Sequence, residues 1–124
     1  MIRGIEHSAI ASSNPAALAE WYVDTLGFVI NYRGSTAFFV KAPDGSMIEI
    51  IPAEGERGGN TLKTPGLRHL ALAVTDFETV YAGLQAKGVQ FLSEPLFAKG
   101  NKVVFFTDPE GNYLHLLERE TPLP

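Results

Sequence analysis

Residues 67–80 read LRHLALAVTDFETV, and residues 5–18 read IEHSAIASSNPAAL. Each stretch begins with a histidine-bearing segment and passes into a helix-start signal. In His69-Leu70-Ala71-Leu72-Ala73-Val74, leucines alternate with His and Ala, as a strand requires when one face packs on helices and the other is left roomy. Asn14-Pro15 is an N-cap with proline at the first helical position, where a missing N–H costs nothing. Thr75-Asp76-Phe77-Glu78 has the capping-box pattern. The two stretches are copies of one unit, and a repeat decides the fold before any single element does.

The likeness continues along both copies. The first helix is predicted to run to about Leu26 and end at Gly27. The second carries an apolar stripe of Phe77, Val80, Tyr81 and Leu84 before Gly88. Each is followed by β-branched or aromatic residues and then by two strands joined through a P-[DE]-G turn, Pro43-Asp44-Gly45 and Pro109-Glu110-Gly111, with glycine supplying a positive φ. The order is β-α-β-β-β twice. This predicts an α+β fold in which two repeated modules, about residues 1–53 and 66–120, form a cupped mixed sheet around a central site within a single domain, 1–124. The Gly-rich, charged linker, residues 54–65, reads as a flexible surface connection long enough to let modules pair within one chain or across two.

Composition narrows the partners. The chain has 124 residues, one domain's worth, and a formal net charge of -4 with its ten Lys and Arg scattered. A nucleic-acid binder's basic stripe is missing, so a small-molecule substrate is expected instead. There is no cysteine, which leaves His, Asp and Glu as the available metal ligands. No apolar run approaches the roughly 18 residues of a membrane span, and the amino terminus has no signal-peptide pattern. No membrane association is expected, and a cytoplasmic location follows by default.

The three histidines are His7, His69 and His115. His7 and His69 occupy equivalent places in the first strands of the two modules. Glu49 and His115 are also equivalent, each four residues after the turn glycine, Gly45 or Gly111. Glu49 shares a strand face with Met47 and Ile51, while Ile48 and Ile50 are predicted to cover the helix. His115 shares its face with Tyr113 and Leu117. A lone histidine on such a face is usually a hydrogen-bonded core residue. Four metal-capable side chains at matched positions, with no histidine left over, point instead to one shared site in which a cation offsets the cost of a buried carboxylate. Imidazole and carboxylate together suit one divalent metal ion among Zn, Ni, Co, Fe and Mn. Arg3, Arg33, Arg57, Lys63 and Arg68 read as solvated surface residues. Phe39 and Tyr113 either line the cup or pack. There is no nucleophile elbow and no phosphate loop, and Asp44 and Glu110 lie in turns and are not a glycosidase pair.

Together, IEHSAI, the helix ending LGF, DGSMIEI, LRHLALAV and DPEGNYLHLLE resemble the vicinal oxygen chelate superfamily, which includes glyoxalase I, extradiol dioxygenases and bleomycin resistance proteins. The resemblance spans nearly the whole chain. It implies paired β-α-β-β-β modules around a divalent metal, bidentate coordination of two neighbouring substrate oxygens, and commonly a homodimer. The ligand positions of glyoxalase I-like members fall on His7, Glu49, His69 and His115, and the last departs from the family's Glu. Two His and two Glu around a divalent ion are formally neutral, whereas three His and one Glu leave +1, which favours an anionic oxygen ligand. The resemblance thus implies a glyoxalase I-like lyase or isomerase with Glu49 as base and His115 or a bound water in the second proton-transfer role. The alternatives are an Fe(II) dioxygenase, whose Glu sits where His115 stands, and a non-catalytic binding or resistance protein, which needs no such ligand set.

Overall fold

A computed structural model describes residues 1–124. The elements run β1 His7–Ser12, α1 Pro15–Leu26, β2 Val29–Arg33, β3 Phe38–Lys41, β4 Met47–Pro52, then β5 His69–Ala73, α2 Phe77–Ala86, β6 Leu96–Ala98, β7 Asn101–Thr107 and β8 Tyr113–Arg119. The β-α-β-β-β order occurs twice, as the sequence predicts. Each repeat builds its own four-stranded mixed sheet, β1-β4-β3-β2 and β5-β8-β7-β6. In each, the first strand runs parallel to the fourth and the remaining pairs are antiparallel. The chain divides into two compact units, Met1–Glu56 and Arg57–Pro124. No helix is long and apolar enough to cross a membrane.

In the first unit, Asn14 caps α1 by accepting from Ala17 N at 3.2 Å, and Gly27 ends it at φ 78. Leu18, Ala19 and Tyr22 of the helix are buried with Val40, Ile48 and Ile50 of the sheet. The alternation predicted for Glu49 therefore holds: its two isoleucine neighbours face the helix and Glu49 faces the other way. The core of the second unit is Phe77 and Leu84 with Val104, Phe106, Leu114 and Leu116. A cluster of rings extends it, with Tyr81 and Phe91 centroids 4.8 Å apart and Phe91 and Phe106 5.7 Å apart. The turn glycines Gly45 and Gly111 take φ 93 and φ 87, the left-handed region that glycine enters without a Cβ penalty.

Two local expectations give way to longer-range contacts. The capping box at Thr75 does not form. Asp76 is the N-cap, at φ 56 and ψ 61, and makes no side-chain cap bond, because a left-handed residue does not present its carboxylate to the first-turn N–H groups as an extended one does. Glu118 from β8 replaces it, its Oε1 accepting from Phe77 N at 2.9 Å. Glu118→Ala is expected to lower stability by about 1 kcal/mol in urea unfolding, and Thr75→Ala by much less.

The connection between the modules also differs from the flexible linker predicted. Arg57 Nη2 donates to Asn112 Oδ1 at 2.7 Å and to Glu110 O at 3.3 Å. Asn60 Nδ2 donates to Gly111 O, Tyr113 Oη donates to Asn60 O, and Arg68 Nη1 donates to Asn60 Oδ1 and Thr61 O. The segment from Arg57 onward is thus fastened to the β7–β8 turn. Arg57 and Arg68 serve as tethers here, where the sequence suggested solvated surface cations.

Candidate metal centre

The first unit brings His7 and Glu49 together on the sheet face opposite α1. Register explains how: Ala9, Glu49 and Phe39 stand side by side across β1, β4 and β3, and His7 is one same-face step along from Ala9. His7 Nε2 lies 3.6 Å from Glu49 Oε1. The ring's other nitrogen, Nδ1, is 2.7 Å from Glu6 Oε1. A carboxylate only accepts, so Nδ1 carries the proton in the neutral ring and Nε2 keeps its lone pair. Two electron-pair donors, Nε2 and a carboxylate oxygen, therefore face each other with no hydrogen between them. A cation reconciles such a pair. Ligand distances of 2.0–2.2 Å place two donors of one tetrahedral ion about 3.4 Å apart, close to the separation present.

In the second unit the equivalent row is Ala71, His115 and Phe105, with His69 one step along beside Tyr113. The His69 and His115 ring centroids are 4.6 Å apart. His115 is 7% exposed, and its Nδ1 is 3.2 Å from Leu116 O. A carbonyl too can only accept, so Nε2 again keeps the lone pair a metal needs. Fixing a ligand histidine through its other nitrogen is the usual outer-shell arrangement at metal sites, and both repeats have it. Within either unit no third His, Asp or Glu joins the pair in a metal-holding group. The structure thus gathers the four sequence-predicted residues as two repeat-related pairs.

Desolvation lowers the proton affinity of the His115 ring, opposed by its bond to Leu116 O and reinforced by His69 and Arg119. The neutral form a ligand requires is therefore favoured. The unfolded imidazole takes up a proton near about pH 6.5 and the folded one only at lower pH, so the unfolded state binds more protons in that window. The metal-free protein is expected to lose stability as pH falls below about 6.5, and His115→Gln is expected to flatten that loss in urea midpoints measured from pH 7 to 5.

A phenylalanine stands against the imidazoles of each half-site. Phe39 packs edge-on to His7 with centroids 5.1 Å apart, and Phe105 lies 4.7 Å from His115 and 5.4 Å from His69. Phe39 was named from sequence and Phe105 was not. The signal was available: Phe105 follows Phe39 by 66 positions, the same interval that separates His115 from Glu49. Tyr113 is on the same face as His69 but spends its hydroxyl on Asn60 O at 3.0 Å.

The chain is similar to the YwkD protein of Bacillus subtilis (strain 168), 29% identical with 96% of this chain and 99% of that one covered. Among solved structures it is similar to SMU.1112c, with TM-score 0.81, 29% identity, and 95% and 100% of the two chains covered. It is also similar to a glyoxalase family protein from Enterococcus faecalis, with TM-score 0.79, 30% identity, and 94% and 98% covered. The profile of the Glyoxalase/Bleomycin resistance protein/Dioxygenase superfamily matches residues 4–116, and with that match joined to the duplicated β-α-β-β-β fold, the chain belongs to this superfamily.

Proposed function

We propose that this protein is a divalent-metal-dependent lyase or isomerase of glyoxalase I type, in which His7, Glu49, His69 and His115 hold one ion and the substrate is a small molecule with vicinal oxygens. The observation that carries the reading is the pair of repeat-related half-sites, His7 with Glu49 and His69 with His115, in which the Nδ1 contacts of His7 and His115 leave the Nε2 lone pairs free in the neutral rings. The reading takes the two pairs as halves of one centre, completed within a chain or across a homodimer. A divalent ion bound there supplies Lewis acidity to two neighbouring substrate oxygens.

The chain's own residues supply the rest. Glu49 is the candidate base. Its carboxylate is the sole acid of the four, and its side chain is 28% exposed, so it is reachable by substrate. Glu6 holds the His7 ring and is a positioning residue. His115, buried and kept neutral, is the candidate for the second proton-transfer role. Phe39 stands edge-on to the His7 ring, and Phe105 stands against the rings of His69 and His115. A dioxygenase reading is less well supported, since the final-strand position where ring-cleaving relatives carry Glu is His115.

Two assays test this. A methylglyoxal-thiol hemithioacetal is expected to be turned over by the metal-loaded protein with no oxygen consumed, and His115→Glu is expected to keep the metal and raise that turnover. Oxygen uptake with a catechol, or no turnover of any vicinal-oxygen substrate by metal-loaded protein, contradicts the lyase reading.

A further inference from the structure

The pairing of β2 with β3 contains a bulge between Ile30 and Tyr32, so that Tyr32 stands opposite Phe39 and Asn31 is the extra residue. In a regular strand Asn31 and Tyr32 would point to opposite faces; a bulge re-aims side chains and can bring neighbours to one face. Here it does so. Asn31 Nδ2 is 3.3 Å from Met47 Sδ, and the Tyr32 ring is edge-on to Phe39 with centroids 6.0 Å apart. Met47 and Phe39 both belong to the face that carries Glu49 and His7. A continuous run of rings therefore leads from Tyr32 through Phe39 to His7.

Tyr32 is 60% exposed, a large ring surface left uncovered at the end of that run. Cationic groups nearby are turned elsewhere: Arg33 faces Glu20 of α1 at 3.7 Å, and the Lys41 side chain lies along the Gly45 turn. The wall is therefore aromatic with one amide at its rim, and it is not built to bind an acidic tail. We propose that Asn31, Tyr32 and Phe39 receive the part of the substrate that does not chelate, and that this part is a planar aromatic group. Ring-on-ring contact adds to simple area burial only for an aromatic partner, and the Asn31 amide suits a polar ring substituent. This inference rests on the proposed metal centre.

The test uses two hydroxamates that chelate through the same pair of oxygens and differ in phenyl against methyl. Binding of benzohydroxamate and acetohydroxamate to the zinc-loaded full chain is measured by calorimetry for wild type, Tyr32→Phe and Tyr32→Ala. Wild type and Tyr32→Phe are expected to prefer benzohydroxamate by roughly tenfold or more. In Tyr32→Ala the preference is expected to fall to about twofold, because the ring that would meet the phenyl group is gone and a side chain so exposed is not needed for folding. Equal preferences in wild type and Tyr32→Ala overturn the aromatic wall and leave the metal centre standing. Failure of both hydroxamates to bind any zinc-treated protein overturns the metal centre, and the wall's role with it.

Discussion

Alanine at Glu49 or at His69 is expected to weaken divalent-ion binding by more than about 100-fold, a loss larger than outer-shell substitutions cause at metal sites. The two residues lie in different repeats, and a shared centre requires both. Folding is expected to be nearly untouched. Glu49 is part-exposed and its contact to His7 is 3.6 Å, a surface interaction worth at most about 1 kcal/mol. His69 is exposed and lies on the edge strand of its sheet. Thermal unfolding of the metal-free variants should therefore stay close to wild type while calorimetric titration with zinc shows the loss. A large drop in metal-free stability would mean that these residues belong to the core and not to a site.

The second large effect concerns Asp108. It is 3% exposed, and its Oδ1 accepts from Glu110 N and Asn112 N, each at 3.0 Å, while Oδ2 accepts from Asn112 Nδ2 at 2.8 Å. Asn112 in turn accepts from Arg57. One carboxylate thus closes the β7–β8 turn and anchors the connecting segment to it. Asp108→Ala leaves two backbone N–H groups without their acceptor and is expected to cost about 3 kcal/mol in denaturant unfolding, with Asp108→Asn costing less because an amide oxygen can still accept. The corresponding turn of the first repeat has Ala42 at that place, and Asp44, which is exposed, bonds Ser46 instead. Asp44→Ala should therefore be the milder change. Since His115 is four residues beyond Gly111, loosening this turn is also expected to weaken metal binding.

The parts of the fold that could be read from sequence are those whose causes are local. Asn14-Pro15 and Gly27 bound α1 through their own backbone preferences. The parity of Ile48, Glu49 and Ile50 tells which face is packed, and the repeat tells which residues correspond. The parts that escaped depend on residues far apart in the chain. The cap of α2 comes from Glu118, which is 41 positions away, and the connection after Glu56 is held by a turn more than 50 positions on. For the candidate site, the four candidate residues stand out in sequence because ionisable residues on apolar strand faces are rare and these four match in pairs. The Glu6 contact to His7 does not, because an exposed glutamate beside a histidine has no pattern to mark it. Nor does the β2 bulge, since a one-residue slip in pairing leaves no mark in a segment as short as VINYR.

A metal centre built from both repeats is read out by the metal content of the protein. Elemental analysis is made on protein loaded with zinc and passed through a desalting column, for wild type, His7→Ala and His115→Ala. One ion per chain is expected in wild type and its loss in both variants, because each repeat would supply half of the ligands. Retention of the ion in either variant, or a wild type that takes up no zinc, nickel, cobalt, iron or manganese, would contradict such a centre.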